Sequence, residues 1–213
     1  MSDSLFSTSY LPPIEQIHKM VAAENILIEL NENYIKQSYR NRCYILTANG
    51  PQALIVPVLL GSFHKTAIKD IRIDYSKRWQ QVHLRAIVAA YKNAPYFQYY
   101  FEEIEKVIME GPEFLVDLNT KLLEILMKSI RLDKPVRFTD SFVAPSGGPT
   151  DYRFNISPKI ESDFVPPKYI QVFPYENNIK GLSIIDLIFN NGPSSMELLS
   201  VQNKDQRPQQ KRF

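Results

Sequence analysis

The sequence predicts a single α/β domain with a mixed β-sheet, and three observations lead to this class. A strand, a helix and a second strand follow one another within the first thirty residues. A hairpin comes next, and apolar residues then recur at helical spacing through the central third of the chain. Strands that alternate with helices are typical of α/β folds. We therefore expect an N-terminal βαβ unit and the hairpin to form the sheet, and the central helices to cover it.

The βαβ unit is predicted over residues 5–30. Residues 5–11 can form the first strand, which Pro12 and Pro13 end. Apolar side chains then recur at helical spacing over 14–23, and a proline suits the first helical turn. The apolar run at 26–30 is the second strand, which completes the order of a βαβ unit.

The later strands are predicted from alternation and from turn residues. Asn49-Gly50 is a strong hairpin turn between two apolar runs. The strands predicted after the βαβ unit are 44–47, 53–58, 67–75 and 169–173.

The helical layer is predicted as three consecutive helices between 77 and 132, where apolar residues recur every three or four positions. A last helix is predicted over 183–191. Ser183 and Asp186 have the spacing of a capping-box variant at its start, and Gly192 suits its end.

Length and composition predict one domain over 1–199 and a disordered polar tail over 200–213. The single cysteine excludes an intrachain disulfide and fits a reducing cytoplasm. A net charge of +2 disfavours a nucleic-acid partner. No apolar run approaches the roughly eighteen residues that a membrane span needs. We therefore expect a cytoplasmic protein.

A polar block between two apolar runs is the candidate binding site. If the segment is extended, Arg40 and Arg42 point to one face. Two guanidinium groups on one face suit bidentate binding of a phosphate or a carboxylate. An alternative is a solvated strand face whose arginines pair with Glu29 and Glu32. The residues predicted to bind an anionic small molecule are Tyr34, Lys36, Gln37, Tyr39, Arg40, Asn41 and Arg42.

The position of this block also favours a site. It follows the predicted strand 26–30, so it should lie at the carboxyl ends of the strands. Ligands of open α/β sheets bind outside that edge.

His83 is the candidate catalytic residue. It shares a helical face with Trp79, Ile87 and Tyr91. A histidine there can act as a general base near neutral pH. The alternative is a core histidine whose ring nitrogens bond to buried partners, because the rest of this face is apolar.

Other chemistry is not indicated. Cys43 is predicted to be a buried structural thiol. His18, His64 and His83 lack the spacing of metal ligands. Since no Gly-rich phosphate loop lies between a strand and a helix, we predict neither a metal site nor a cofactor.

Several of these segments resemble the WbqC-like family of bacterial proteins, in the form common in the Bacteroidetes. The similarity spans roughly residues 8–195 and includes Tyr39-Arg40-Asn41-Arg42-Cys43 and the stretch 181–193. Its most specific parts are Arg40-Asn41-Arg42 and residues 183–190. The resemblance implies a role in bacterial surface polysaccharide biosynthesis, and it transfers no catalytic residue. The chain departs from longer relatives at 145–167, where they have a segment that contains Gly and Tyr.

Two functions remain open at this point. The first is a transferase that acts on an activated anionic molecule, such as a nucleotide-linked sugar, with His83 as the base. The second is a non-catalytic ligand-binding or scaffolding protein, in which the arginines serve a protein partner or hold the fold. If His83 and Arg40 converge on one accessible pocket, the enzyme is favoured; separation favours the second function.

Overall fold

The strands of this α/β protein lie in three small sheets. The structure, a computed structural model, describes residues 3–59, 65–145, 150–174, 179 and 181–205. Within these ranges it contains one parallel sheet and two antiparallel pairs of strands. The predicted α/β class is confirmed, but the strands do not form one sheet: the hairpin is a separate pair that packs against helices.

The parallel sheet contains the predicted βαβ unit. β1 (Asp3–Ser7) and β2 (Asn25–Glu29) are parallel neighbours joined through α1 (Ile14–Ala22). A strand that the sequence did not predict, β7 (Val136–Phe138), pairs in parallel with the other side of β2. Residue Asp151 forms an isolated parallel bridge beside β1. The first strand ends at Ser7, four residues before its predicted end.

The hairpin joins β3 (Arg42–Thr47) to β4 (Gly50–Ile55) in antiparallel register. β5 (Val58–Leu59) and β6 (Arg72–Ile73) form a second, shorter pair. The long strand predicted at 67–75 was wrong in part, because a 3₁₀ turn, Ile68–Asp70, occupies its first half. The strand predicted at 169–173 was wrong, because those residues pair with no strand.

The helical layer follows the prediction. It consists of α2 (Trp79–Tyr91), α3 (Phe97–Glu110) and α4 (Leu115–Ser129). Gly111 ends α3 in the left-handed conformation, with φ 70°, which glycine adopts without steric cost. The apolar faces of these helices pack into one core with the strands.

The predicted last helix, α5 (Ile184–Asn191), is the most deeply buried element. Ile184, Leu187, Ile188 and Phe189 expose no surface. The entry to α5 is bonded to the N-terminal part of the chain, because the Ile184 N–H donates to the Pro12 carbonyl and the Ser183 N–H to the Tyr44 carbonyl. Ser183 is its N-cap, as predicted, and its side chain accepts a bond from the Ile185 N–H.

The C-terminal helix α6 (Ser195–Asp205) follows a short 3₁₀ turn. Its backbone extends past residue 200, where the polar tail was predicted to start. Most of that tail, 206–213, lies outside the described residues, as do 146–149 of the predicted irregular segment. The division into a domain and a disordered tail therefore stays a prediction.

Candidate functional site

Arg40 lies at the carboxyl edge of the parallel sheet, where the sequence placed it. Its guanidinium donates two hydrogen bonds to the Glu32 carboxylate, from Nε to Oε1 at 2.9 Å and from Nη2 to Oε2 at 2.6 Å. Nη2 also donates to Ser7 Oγ at the end of β1, at 2.7 Å. Arg40 is only 4% exposed and Glu32 only 2%. This arginine is thus already neutralised by a carboxylate of the same block.

A second buried arginine that the sequence did not reveal lies at the same edge. Arg153 donates from Nε and Nη2 to the Asp151 carboxylate, at 2.9 and 2.6 Å, and from Nη1 to Glu29 at 3.1 Å. The half-exposed rings of Phe142 and Phe154 lie 5.6 and 5.4 Å from its guanidinium carbon. The hydrogen bonds from Arg153 lower the pKa of Asp151. The sequence signal that could have indicated this ion pair is the two-residue spacing of Asp151 and Arg153 in an irregular segment.

The carboxyl edge therefore has little room and little free charge. Two arginines face three carboxylates there, and all five side chains are nearly or fully buried. The cavity beside Arg40 has a volume of about 10 Å³, about the space of one water molecule. Its lining is polar and includes Ser7, Ser9 and Gln16.

Arg42 is placed differently from Arg40. Residues 36–41 form turns, with Gln37 at φ 58°, so the extended segment that would align the two arginines was wrong. Arg42 opens β3 and is half-buried, and its Nε is buried without a hydrogen-bond partner. Among the described residues it forms no ion pair.

Tyr34 is close enough to Arg42 for the two side chains to interact electrostatically. Burial raises the pKa of Tyr34, and the charges of Arg42 and Arg40 act in the opposite direction, which places the phenol within electrostatic reach of both guanidinium groups. Lys36 and Gln37 are exposed on the adjacent turn. Neither Arg42 nor Lys36 forms an ion pair with a carboxylate within the ranges that the structure describes.

Tyr39 and Asn41 are part of the packing. The Tyr39 hydroxyl lies where a side chain at Gly181 would project, and burial raises the pKa of that hydroxyl. Asn41 Nδ2 donates to the Val56 carbonyl at 2.8 Å, and Asn119 Nδ2 donates to the Arg40 carbonyl at 2.9 Å. These contacts hold the turn between β2 and β3 against α4.

His83 is enclosed in the core and is 3% exposed. Its Nδ1 lies 2.9 Å from the Tyr10 hydroxyl, and the ring packs against Trp79 and Tyr10. Burial lowers the pKa of His83 to about 4. His83 does not line the cavity beside Arg40, so the two predicted groups are not brought together.

Asp186 forms a buried network that the sequence did not indicate. Oδ1 accepts from the Tyr169 hydroxyl at 2.6 Å and from Gln171 Nε2 at 2.8 Å, and Oδ2 accepts from the Tyr91 hydroxyl at 2.8 Å. Burial raises the pKa of Asp186, although these donors act to lower it. The capping role predicted for its carboxylate was wrong, because the side chain turns towards α2 and the segment at 169–171.

The remaining predictions concern metals, the thiol and membranes. Within the described ranges, no three His, Cys, Asp or Glu residues are grouped so as to hold a metal ion, and His64 lies outside those ranges. Cys43 is buried, as predicted, and burial raises its pKa. None of the helices in the described part of the chain has the length and apolar content of a membrane span.

The chain was compared with known proteins. Comparison with curated proteins and with solved structures finds no match. The sequence model of a family described as the WbqC-like protein family matches residues 8–165. This range contains β2 and β7 of the parallel sheet, both antiparallel pairs and the helical layer, while β1 lies just before it. The similarity noted in the stretch 181–193 lies beyond the matched range. Since the match covers most of the chain, this protein belongs to the WbqC-like protein family.

Proposed function

We propose that this protein binds a small anionic molecule of the nucleotide-linked sugar class in the bacterial cytoplasm, within surface polysaccharide biosynthesis. The single observation that carries the proposal is Arg42, whose buried Nε has no partner although Arg40, two residues earlier, is fully paired. The polysaccharide context rests on the family's association with such gene clusters.

An unpaired buried donor is costly for a folded protein. Leaving such a group unsatisfied costs about 1–3 kcal/mol, and more for a charged group. A phosphate or carboxylate oxygen would satisfy it, and the planar guanidinium suits two parallel hydrogen bonds. The Tyr34 hydroxyl and the Lys36 ammonium are the further donors of this site. Arg40 supports the site by holding the block to the sheet.

Binding without an assigned catalytic residue is the better supported of the two functions. A transferase needs a proton acceptor within reach of the ligand. His83 is 3% exposed, and its Nδ1 is engaged by the Tyr10 hydroxyl in the core, away from the cavity beside Arg40. The buried neutral ring supports the structural alternative for this histidine.

Thermal melting tests the proposal with nucleotide-linked sugars, nucleotides and inorganic phosphate. A ligand that binds the folded state at one hundred times its Kd stabilises it by about 2.7 kcal/mol. We expect a nucleotide-linked sugar to raise the Tm of the wild type but not of Arg42→Met. Arg72→Met is the matched control, because Arg72 is an exposed arginine paired with Glu113, and it should keep the ligand response.

The proposal is wrong if no anion in the panel raises the Tm of the wild type, or if Arg42→Met responds as the wild type does. A further variant, Arg42→Lys, distinguishes the contribution of the positive charge from that of the guanidinium geometry. A lysine keeps the charge and loses the planar fork, so we expect it to retain only part of the response.

A further inference from the structure

A cleft of about 490 Å³ opens at the C-terminal end of α4, apart from both the carboxyl edge and Arg42. Its volume lies in the range of small-molecule sites, about 300–1,000 Å³. The apolar part of its lining consists of Met127, Leu132 and Val136, and the first two are almost fully buried. The cleft therefore offers a hydrophobic floor of the kind that holds an organic ligand.

The end of α4 shapes this floor through a Schellman motif. The Leu132 N–H donates to the Met127 carbonyl at 2.9 Å, and the Arg131 N–H to the Lys128 carbonyl at 3.0 Å. This is the bond pattern in which the residue after the C-cap adopts the left-handed conformation, usually as glycine. Arg131 occupies that position with φ 59°. An arginine is thus kept at the rim, at a position where glycine would be less strained.

The charges around the floor favour an anion. Three cations, Lys128, Arg131 and Lys134, outnumber the two carboxylates in the lining, Glu124 and Asp133. Lys134 is fixed, because its Nζ donates to the Val21 carbonyl at 2.7 Å and to the Ala23 carbonyl at the end of α1.

The other two cations of the rim are available to a ligand. Arg131 is exposed and has no hydrogen bond or ion pair from its side chain within the described residues. Lys128 has only a 3.8 Å contact with Glu103. The last carbonyls of α4 already accept backbone N–H groups, so they do not present free acceptors that would repel an anion.

We propose that this cleft binds an organic carboxylate with an apolar body. The body would lie on Met127, Leu132 and Val136, and the carboxylate would be held by Arg131 with Lys128 beside it. The site is separate from Arg42, and it does not rest on the function proposed above.

Calorimetric titration of the whole protein with octanoate tests the site. Octylammonium has a chain of the same length and the opposite charge, so it reports apolar contact alone. We expect octanoate to bind at one site per chain and octylammonium to bind at least tenfold more weakly. Arg42→Met should bind octanoate as the wild type does.

Arg131→Gly is the decisive variant, because glycine suits the backbone at this position and the protein should stay folded. We expect its Tm without ligand to equal or exceed that of the wild type, while its affinity for octanoate falls at least tenfold. Lys106→Gln, at an exposed lysine of α3 outside the cleft, should change nothing. The proposal is overturned if octanoate does not bind, if octylammonium binds equally well, or if Arg131→Gly binds octanoate unchanged.

Discussion

The carboxyl edge of the parallel sheet and the start of the hairpin use arginine in opposite ways. At the edge, Arg40 and Arg153 are buried. Arg40 donates two hydrogen bonds to the Glu32 carboxylate and one to Ser7, and Arg153 donates three to the carboxylates of Asp151 and Glu29. At the start of the hairpin, Arg42 is half-buried and has no carboxylate partner among the described residues. The first arrangement is completed by the protein's own carboxylates, whereas the second has no such partner in the part of the chain that the structure describes.

This difference shows that the partner, and not the residue type, decides what an arginine does. Breaking a buried ion pair by removing one partner is strongly destabilising, because the other charge is left without compensation. Removing an arginine that has no partner leaves no such charge behind. Stability and ligand binding should therefore separate between the two regions.

Arg153→Met should give the largest loss of stability. Glu29 and Asp151 would remain buried without a cation, so we expect the free energy of unfolding to fall by about 3–5 kcal/mol. Urea denaturation measures it. The control is Arg137→Met, because Arg137 pairs with Asp3 at the surface and such pairs contribute less than about 1 kcal/mol. Equal losses in the two variants would contradict the comparison.

Arg40→Met and Arg42→Met test the comparison most directly. We expect Arg40→Met to lose about 3 kcal/mol, because Glu32 stays buried without its partner. The free energy of unfolding of Arg42→Met should lie within about 1 kcal/mol of the wild-type value, because the substitution removes a donor that was already unsatisfied. Paired denaturation curves decide. If the free energy of unfolding falls by several kcal/mol in both variants, Arg42 stabilises the fold as Arg40 does, and the contrast between the two arginines is wrong.

His83 extends the comparison to a group that is buried without charge. Its pKa in the folded protein is lowered to about 4, while that of an unfolded chain is about 6.5. The unfolded state therefore binds a proton first as the pH falls. The neutral ring contributes its full stability above pH ~6.5. As the pH falls from ~6.5 to ~4, the free energy of unfolding decreases by about 3 kcal/mol.

His83→Gln isolates this effect. The variant cannot take up the proton, so the wild type should lose about 3 kcal/mol more than the variant when denaturation is measured at pH ~7.5 and pH ~4. Identical pH profiles for the two proteins would show that the ring is not held neutral in the core.

Arg131→Gly should have the smallest effect, and it should be a gain. The left-handed backbone at Arg131 costs an L-residue about 1–2 kcal/mol. Glycine avoids this cost, but it loses more conformational entropy on folding, which offsets part of the gain. We expect a gain of about 0.5–1 kcal/mol by chemical denaturation. Arg85→Gly, at an exposed position inside α2, is the control and should lose about 1 kcal/mol. A loss in both variants would show that Arg131 stabilises the fold.

Local patterns predicted most of the fold. The βαβ unit, the hairpin and the helical layer follow from periodicity and from the Asn49-Gly50 turn, which act over a few residues. β7 was missed because three residues carry too little pattern. The strand at 169–173 was predicted because polar and apolar residues alternate there. In the structure Tyr169 and Gln171 do face one side, but they bind Asp186, and Ile170 is 90% exposed.

The site was predicted less completely, because its contacts are distant along the chain. The block 32–42 was found from its composition, and Glu32 was considered as a partner since it lies only eight residues from Arg40. Arg153 and Glu29 are 124 residues apart, and no local rule brings them together. The turns at 36–41 also reverse the chain, so a two-residue spacing did not place Arg40 and Arg42 on one face.

The burial of α5 determines when the core can be completed during synthesis of the chain. Its five fully buried apolar side chains belong to the core, and its entry bonds to Pro12 and Tyr44, more than 130 residues earlier in the chain. Contacts of such long sequence separation form late and slow folding. The apolar side chains that pack on α5 can therefore be buried by it only after nearly the whole chain has been synthesised.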